Sequence, residues 1–243
     1  ENKEIEINYV NLQENYKENF TNDEINKYIN SNENKLRKDF IDFSYVKITP
    51  KSLLDLDQYD DKFFKIIDDI DNKILNNESI ESIVTKYDLK LTKVNNYFPY
   101  DNKYELIYSK KNNPNLINLI DNNDHYLLFK ITNIENKLPD VNSKQFRDEI
   151  ILDLKNRFKF EFNKKLVDDI KNKKLKYEDL KNLNASNKIE KIIINSIKDN
   201  NKFSIDAIKL IYSLPKDSFV LINDDLNNIY LAYIKEIIDA NKI

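Results

Sequence analysis

Five aromatic side chains, Tyr97, Phe98, Tyr100, Tyr104 and Tyr108, crowd one short stretch of the chain. Rings at this density bury a large apolar area as core. Left partly exposed and contiguous, they make a wall for an extended peptide instead. These five are the candidate peptide-binding residues. His125 is the single histidine and stands beside the polar turn Asp121–Asp124, where it reads as an exposed or half-exposed side chain at the start of a strand. With Cys 0 and one histidine, no zinc set can be completed. The paired carboxylates Asp68–Asp69 and Asp168–Asp169 are adjacent on helical stretches, so they diverge by about 100° and do not face each other. Asp121-Asn122-Asn123-Asp124 lacks the glycine and the distal glutamate of a calcium loop. No serine lies in a nucleophile elbow. No catalytic residue, metal or cofactor is expected.

Composition narrows the function classes further. Net charge is −3 over 243 residues, with Lys and Asp/Glu interspersed and no basic stripe, which argues against a nucleic-acid partner. Gly 0 removes every glycine-rich phosphate loop, so P-loop and Rossmann nucleotide chemistry is excluded. The same zero assigns turns of positive φ to Asn and Asp, which tolerate the left-handed region best among other residues. No apolar run approaches the ~18 residues of a membrane span, and no signal peptide is visible. The chain opens at Glu1 without methionine, as a processed or excised piece would.

Several elements must position the aromatic stretch. Ile5, Ile7 and Tyr9 alternate within Glu4–Leu12, a half-buried strand pattern, and Phe40–Ile48 reads as a second strand. Between them Thr21 and Glu24 form a capping box for a helix. Asp60–Leu75 and Ser79–Tyr87 read as helices, Leu89–Val94 as a strand, and Leu116–Ile134 as a hairpin around the Asn/Asp turn. From Asn142 to Lys174 the chain holds no proline and no glycine. Apolar residues recur there at Phe146, Ile150, Leu154, Phe158, Phe162, Leu166 and Ile170. Each four-residue step overshoots a helical turn by about 40°, so the stripe winds around the helix and should meet one body near its start and another near its end.

The pattern then recurs. Asp68–Leu75 matches Asp168–Leu175, and Leu106-Ile107-Tyr108-Ser109 returns as Leu210-Ile211-Tyr212-Ser213. Each copy reads helix, short helix, strand, helix, hairpin, an α+β unit of domain size.

Three stretches resemble the periplasmic PpiD/SurA-like prolyl isomerase chaperones in their parvulin-like domains: Phe20–Pro50, Asn77–Leu91, and Leu210–Ile238 with its first-copy counterpart Leu106–Leu138. The resemblance implies an α+β protein with two degenerate parvulin-like domains joined by a long helix. Its segments are an N-terminal strand–helix–strand piece at 1–50, a first domain at 51–139, the connecting helix at 140–174 and a second domain at 175–243. It also implies a periplasmic chaperone or holdase for unfolded or newly exported polypeptides, soluble or tethered to the inner membrane by a segment not in this chain. Active parvulins carry two histidines, a Cys or Asp, and apolar Met, Leu and Phe lining a proline pocket. Here there is one histidine, no cysteine and no methionine. The expected chaperone therefore works without rotamase activity, the alternatives being an active prolyl isomerase and a structural or adhesive module with a dedicated partner.

Overall fold

The computed structural model describes residues 3–183 and 188–239. In chain order they form strand β1 (Lys3–Asn11), helix α1 (Asn22–Leu36), β2 (Lys38–Ile48), α2 (Pro50–Leu54), α3 (Asp61–Leu75), α4 (Ile80–Lys86) and β3 (Thr92–Tyr97). Next come α5 (Glu105–Ser109), β4 (Ile117–Asp121), β5 (Tyr126–Lys137), α6 (Lys144–Lys171) and α7 (Asp179–Asn182). The chain closes with β6 (Glu190–Ile194), α8 (Ile205–Tyr212), β7 (Phe219–Asn223) and β8 (Ile229–Asp239). The fold is mixed α+β with two four-stranded sheets, ordered β6-β1-β8-β7 and β3-β2-β5-β4. Every pairing is antiparallel.

Contacts divide the chain into a continuous unit, Ile29–Arg147, and a discontinuous unit, Glu1–Tyr28 with Asp148–Ile243. These bounds differ from the four segments expected from the sequence. β1 and β2 both lie within the expected 1–50 piece, yet each is an inner strand of a different sheet. The reason is burial on both faces: Ile5, Ile7 and Tyr9 are covered on one side and Glu6, Asn8 and Val10 on the other, which demands partners and layers all round. The continuous unit is thus inserted in the chain between the first strand of the other unit and that unit's helices.

In the continuous unit, Val46, Ile48 and Leu128 of the sheet pack against Phe63, Ile67 and Ile70 of α3 and Ile80 and Ile83 of α4. The opposite face, through Ile41, Phe43, Leu127, Phe129 and Ile131, meets Ile107 of α5. In the discontinuous unit Ile5, Ile7 and Tyr9 face Ile208 and Ile211 of α8. Val10 and Leu231 face Leu166 of α6 and Leu180 of α7. Helix α6, 28 residues long, occupies the expected long-helix stretch. Phe146 and Ile150 near its start and Leu166 near its end are buried, while Leu154, Phe158, Phe162 and Ile170 are half-buried.

The two units repeat one another in detail. Ile5-Glu6-Ile7-Asn8-Tyr9-Val10 of β1 parallels Ile41-Asp42-Phe43-Ser44-Tyr45-Val46 of β2, and both strands break register at the same step, Glu6/Ile7 and Asp42/Phe43. Asn115 and Asp217, both left-handed, donate their N–H to the carbonyls of Ile131 and Ile234 at 2.8 Å each. The Tyr108 hydroxyl donates to the Asp39 carbonyl and the Tyr212 hydroxyl to the Lys3 carbonyl, at 2.8 and 2.6 Å. Ser109 and Ser213 each close on the carbonyl three residues back at 2.7 Å. The helix register, however, differs from the sequence match. The ends of α3 and α6 align Asn76–Asn77 with Asn172–Lys173, through equivalent bonds from Asn77 to Ile74 and from Lys173 to Ile170. That is one turn away from the pairing of Asp68–Leu75 with Asp168–Leu175. Asp, Asn and Lys recur so densely on these helices that residue identity is a poor ruler, whereas the helix stop is a geometric one.

Thr21 and Glu24 do form the reciprocal capping box, with N–H to side-chain distances of 2.9 and 3.3 Å. Among the described residues the positive-φ positions are Asn or Asp except Lys173, at φ 54°. Lys173 ends α6 in a Schellman arrangement, the position that glycine suits best. Lys173→Gly should therefore stabilise the discontinuous unit by about 1 kcal/mol. A raised urea midpoint is the expected result, and an unchanged or lowered one would count against this reading of the helix end.

Candidate functional site

The five aromatic residues are brought together in the continuous unit. Tyr97 ends β3, Phe98 and Tyr100 lie in the loop that follows, Tyr104 precedes α5 and Tyr108 sits within it. Tyr97 is the hub: its ring lies 5.3 Å from Tyr104, 5.9 Å from Phe43 and 6.3 Å from Tyr108. Phe98 continues the layer, 5.8 Å from Tyr108, 5.6 Å from Phe40 and 4.8 Å from Tyr100. Most pairs are edge-to-face, the geometry favoured by ring quadrupoles. The loop is tied to its own hub, since the Tyr97 hydroxyl donates to the Asp101 carbonyl at 3.0 Å and accepts the Tyr104 N–H at 3.3 Å.

The layer is neither plain core nor free wall. Tyr97, Phe98, Tyr104 and Tyr108 are half-buried, and Tyr100 is 42% exposed at its outer end. Beside it opens a cleft of about 460 Å³ lined by Phe40, Tyr97, Phe98, Tyr100 and Pro139 with polar groups that include Gln145. Ammonium groups border the rings: Lys38 over Phe98, Lys137 over Phe40, Lys103 over Tyr104 and Lys111 over Tyr108, each between 5.0 and 5.8 Å from the ring centre. Lys111 also pairs with Asp39, and its hydrogen bond, with that of Asn136, holds the Asp39 carboxyl below the usual carboxylate range.

Two phenols behave unequally. The hydroxyls of Tyr45 and Tyr104 face each other at 3.3 Å. The bond to Tyr104 and then burial push Tyr45 up to about 12. Tyr104 moves down, because Tyr45 can donate to its phenolate and Lys103 stands close.

His125 contradicts the expectation of an exposed or half-exposed side chain. It is only 7% exposed, with Nδ1 2.6 Å from an Asp124 carboxylate oxygen and Nε2 3.3 Å from the Asn122 amide nitrogen. The tight turn folds its own polar side chains over the ring, and the Asn122 N–H closes on the His125 carbonyl at 2.9 Å. Among the described residues no cluster of three or more His, Asp or Glu side chains is placed to hold a metal ion. Among them, too, no helix is long and apolar enough to cross a membrane.

The discontinuous unit carries the same face in a closed form. Tyr9 stands where Tyr45 does, and Tyr230 stands where Leu127 does, each paired to matching neighbours across the sheet. Tyr9, Phe203 and Tyr230 are buried against one another with ring centres 5.2 to 5.7 Å apart. Tyr9 donates to Glu190 at 2.7 Å and Tyr230 to Asp224 at 2.9 Å. Burial, then the Asp224 bond, pushes Tyr230 up to about 12. Sequence reading missed this closed triad, although the repeated Ile-x-(Ile/Phe)-x-Tyr-Val of the first strands was available to find it.

Comparison with family models, with curated proteins and with solved structures returns no match. The functional reading therefore rests on the geometry of this chain.

Proposed function

We propose that the chain is a folding chaperone of the holdase kind, related to prolyl isomerases and working in an export compartment such as the periplasm. In this reading the two repeated units are degenerate parvulin-like domains joined by α6. Their common layout supports it: α3, α4, β3, α5 and the β4–β5 hairpin in one, α6, α7, β6, α8 and the β7–β8 hairpin in the other. The single observation that carries the binding role is the half-exposed aromatic layer of the continuous unit beside a cleft of about 460 Å³. In the other unit the rings of Tyr9, Phe203 and Tyr230 close the opposite end of the corresponding sheet face, at the Tyr45 and Leu127 positions.

An unfolded polypeptide offers apolar side chains and unpaired backbone groups. The ring faces of Tyr97, Phe98 and Tyr100 supply the apolar contact, and polar cleft residues such as Asn95 and Gln145 can hydrogen-bond the backbone. Rotation about a prolyl bond demands stabilisation of a twisted amide against a barrier of about 18–20 kcal/mol. Here the single histidine has both ring nitrogens engaged within its own turn. The proposed chaperone accordingly holds its client without turnover.

The test is dilution of a denatured model protein into buffer with and without the chain. Light scattering should fall at near-equimolar ratio, and Tyr97→Ala with Tyr100→Ala should restore most of it. Cis-to-trans conversion of a proline tetrapeptide should not accelerate. Undiminished scattering at excess chain would remove the proposal.

A further inference from the structure

A second, smaller recess lies on the far side of Tyr104, with a volume of about 80 Å³. Tyr45, Lys47, Lys103, Tyr104, Asn122 and His125 line it above Leu127. We propose that this recess is a carboxylate subsite, which takes the anionic end or an acidic side chain of an extended polypeptide. The peptide source of that carboxylate rests on the binding role proposed above.

Size and polarity select the ligand. A water needs roughly 10–15 Å³ of such space, so the recess admits a group of a few heavy atoms and no aromatic ring. Its lining is rich in donors. Lys47 makes no ion pair among the described residues, and Lys103 rests over the Tyr104 ring at 5.0 Å. One of the two facing hydroxyls of Tyr45 and Tyr104 donates to the other, which leaves one hydroxyl hydrogen for a third group. The acid beside the recess, Asp124, is turned to His125 Nδ1 with its side chain 86% exposed, and Asp101 acts on Tyr104 only at a distance. Two ammonium groups and a phenol, none of them in an ion pair with an acid among the described residues, with Asp124 bound to His125, suit a carboxylate.

The twin unit gives an independent reason. There Tyr230 replaces Leu127 and Asn11 replaces Lys47, at the same register. The Tyr230 ring is buried and its hydroxyl is bound to Asp224. The equivalent space is thus filled by a ring in one copy, with Lys202 over it and Glu190 and Asp224 bonded to the phenols, and open and lined by Lys47 and Lys103 in the other. Because the Tyr104 ring is 5.3 Å from Tyr97, which lines the large cleft, a peptide seated on the cleft can bring a carboxylate within reach.

Two titrations of the whole chain test this. In the first, sodium acetate alone is followed by NMR of the His125 and tyrosine ring signals. Saturable shifts at His125 and Tyr104 are expected, lost in Leu127→Tyr and in Lys47→Gln with Lys103→Gln. The lysine pair is exposed, so that variant keeps the test open if the leucine variant misfolds. In the second, an aromatic pentapeptide is compared as free acid, as amide, and as amide with one glutamate. Either carboxylate form should bind about tenfold tighter than the plain amide, and the form that does so identifies the source. Absent acetate shifts together with equal binding of all three peptides would overturn the subsite and leave the peptide-binding role intact. Acetate shifts with no binding of any peptide would keep the subsite and remove that role.

Discussion

Removal of residues 1–12 should unfold the discontinuous unit while the continuous unit keeps its sheet. β1 is the inner strand that β6 pairs with on one side and β8 on the other. Without it β6 has no partner in its sheet, and the helices of the unit lose one side of both cores. Ile5, Ile7, Tyr9, Val10 and Leu12 are all buried, and each fully buried side chain of this size contributes about 1.5–3 kcal/mol. Their sum is comparable to the whole stability of an ordinary domain, about 5–15 kcal/mol, before the lost strand hydrogen bonds are added. The truncation also removes Glu6, whose carboxyl Lys191 and Lys235 hold at 2.8 and 3.0 Å and keep below its usual range, and so strips both lysines of that partner. Hydrogen exchange should show protection lost across β6, β7 and β8 and kept across β2 and β5. Retained protection in β8 would contradict the inserted-unit topology.

Phe43→Ala should cost the continuous unit about 3–5 kcal/mol, the usual toll of deleting a buried phenylalanine. Phe43 is 1% exposed and touches the rings of Tyr45, Tyr97 and Tyr104 at 5.2 to 5.9 Å. It is the floor on which the aromatic layer rests. The loss should therefore appear twice, as a lowered urea midpoint and as weakened suppression of aggregation. Phe64→Ala, on the exposed side of α3, is the control and should change neither by much. A Phe43→Ala protein with unchanged stability would mean that the layer is not supported from this strand.

What could be read from the sequence was mostly local. The capping box at Thr21, the Asn and Asp turns in place of glycine and the hairpin into Tyr126 each depend on a few neighbouring residues. The alternation in β1 and β2 was also legible, but their destinations were not. The alternation predicts a strand buried on one face, whereas β1 is buried on both; nor does it state which strands flank it, and the partners of β1 lie at the other end of the chain. β3 runs from Thr92 to Tyr97 and not from Leu89 to Val94, because Leu89 and Leu91 pack into the helical core while polar residues carry the outer strand. The crowding of the five aromatic residues was visible. Their half-exposure was not, since it depends on how the loop after β3 and the start of α5 settle over Phe40 and Phe43 of β2.

Photo-crosslinking reaches the central claim most directly. A photoreactive phenylalanine analogue is placed at Tyr100, on the aromatic layer, and in a second protein at Leu210, an exposed apolar position of α8 in the closed twin. Each is irradiated with a permanently unfolded polypeptide. Strong capture from position 100 and little from position 210 is the predicted result. Equal capture from both, or capture from 210 alone, would contradict it.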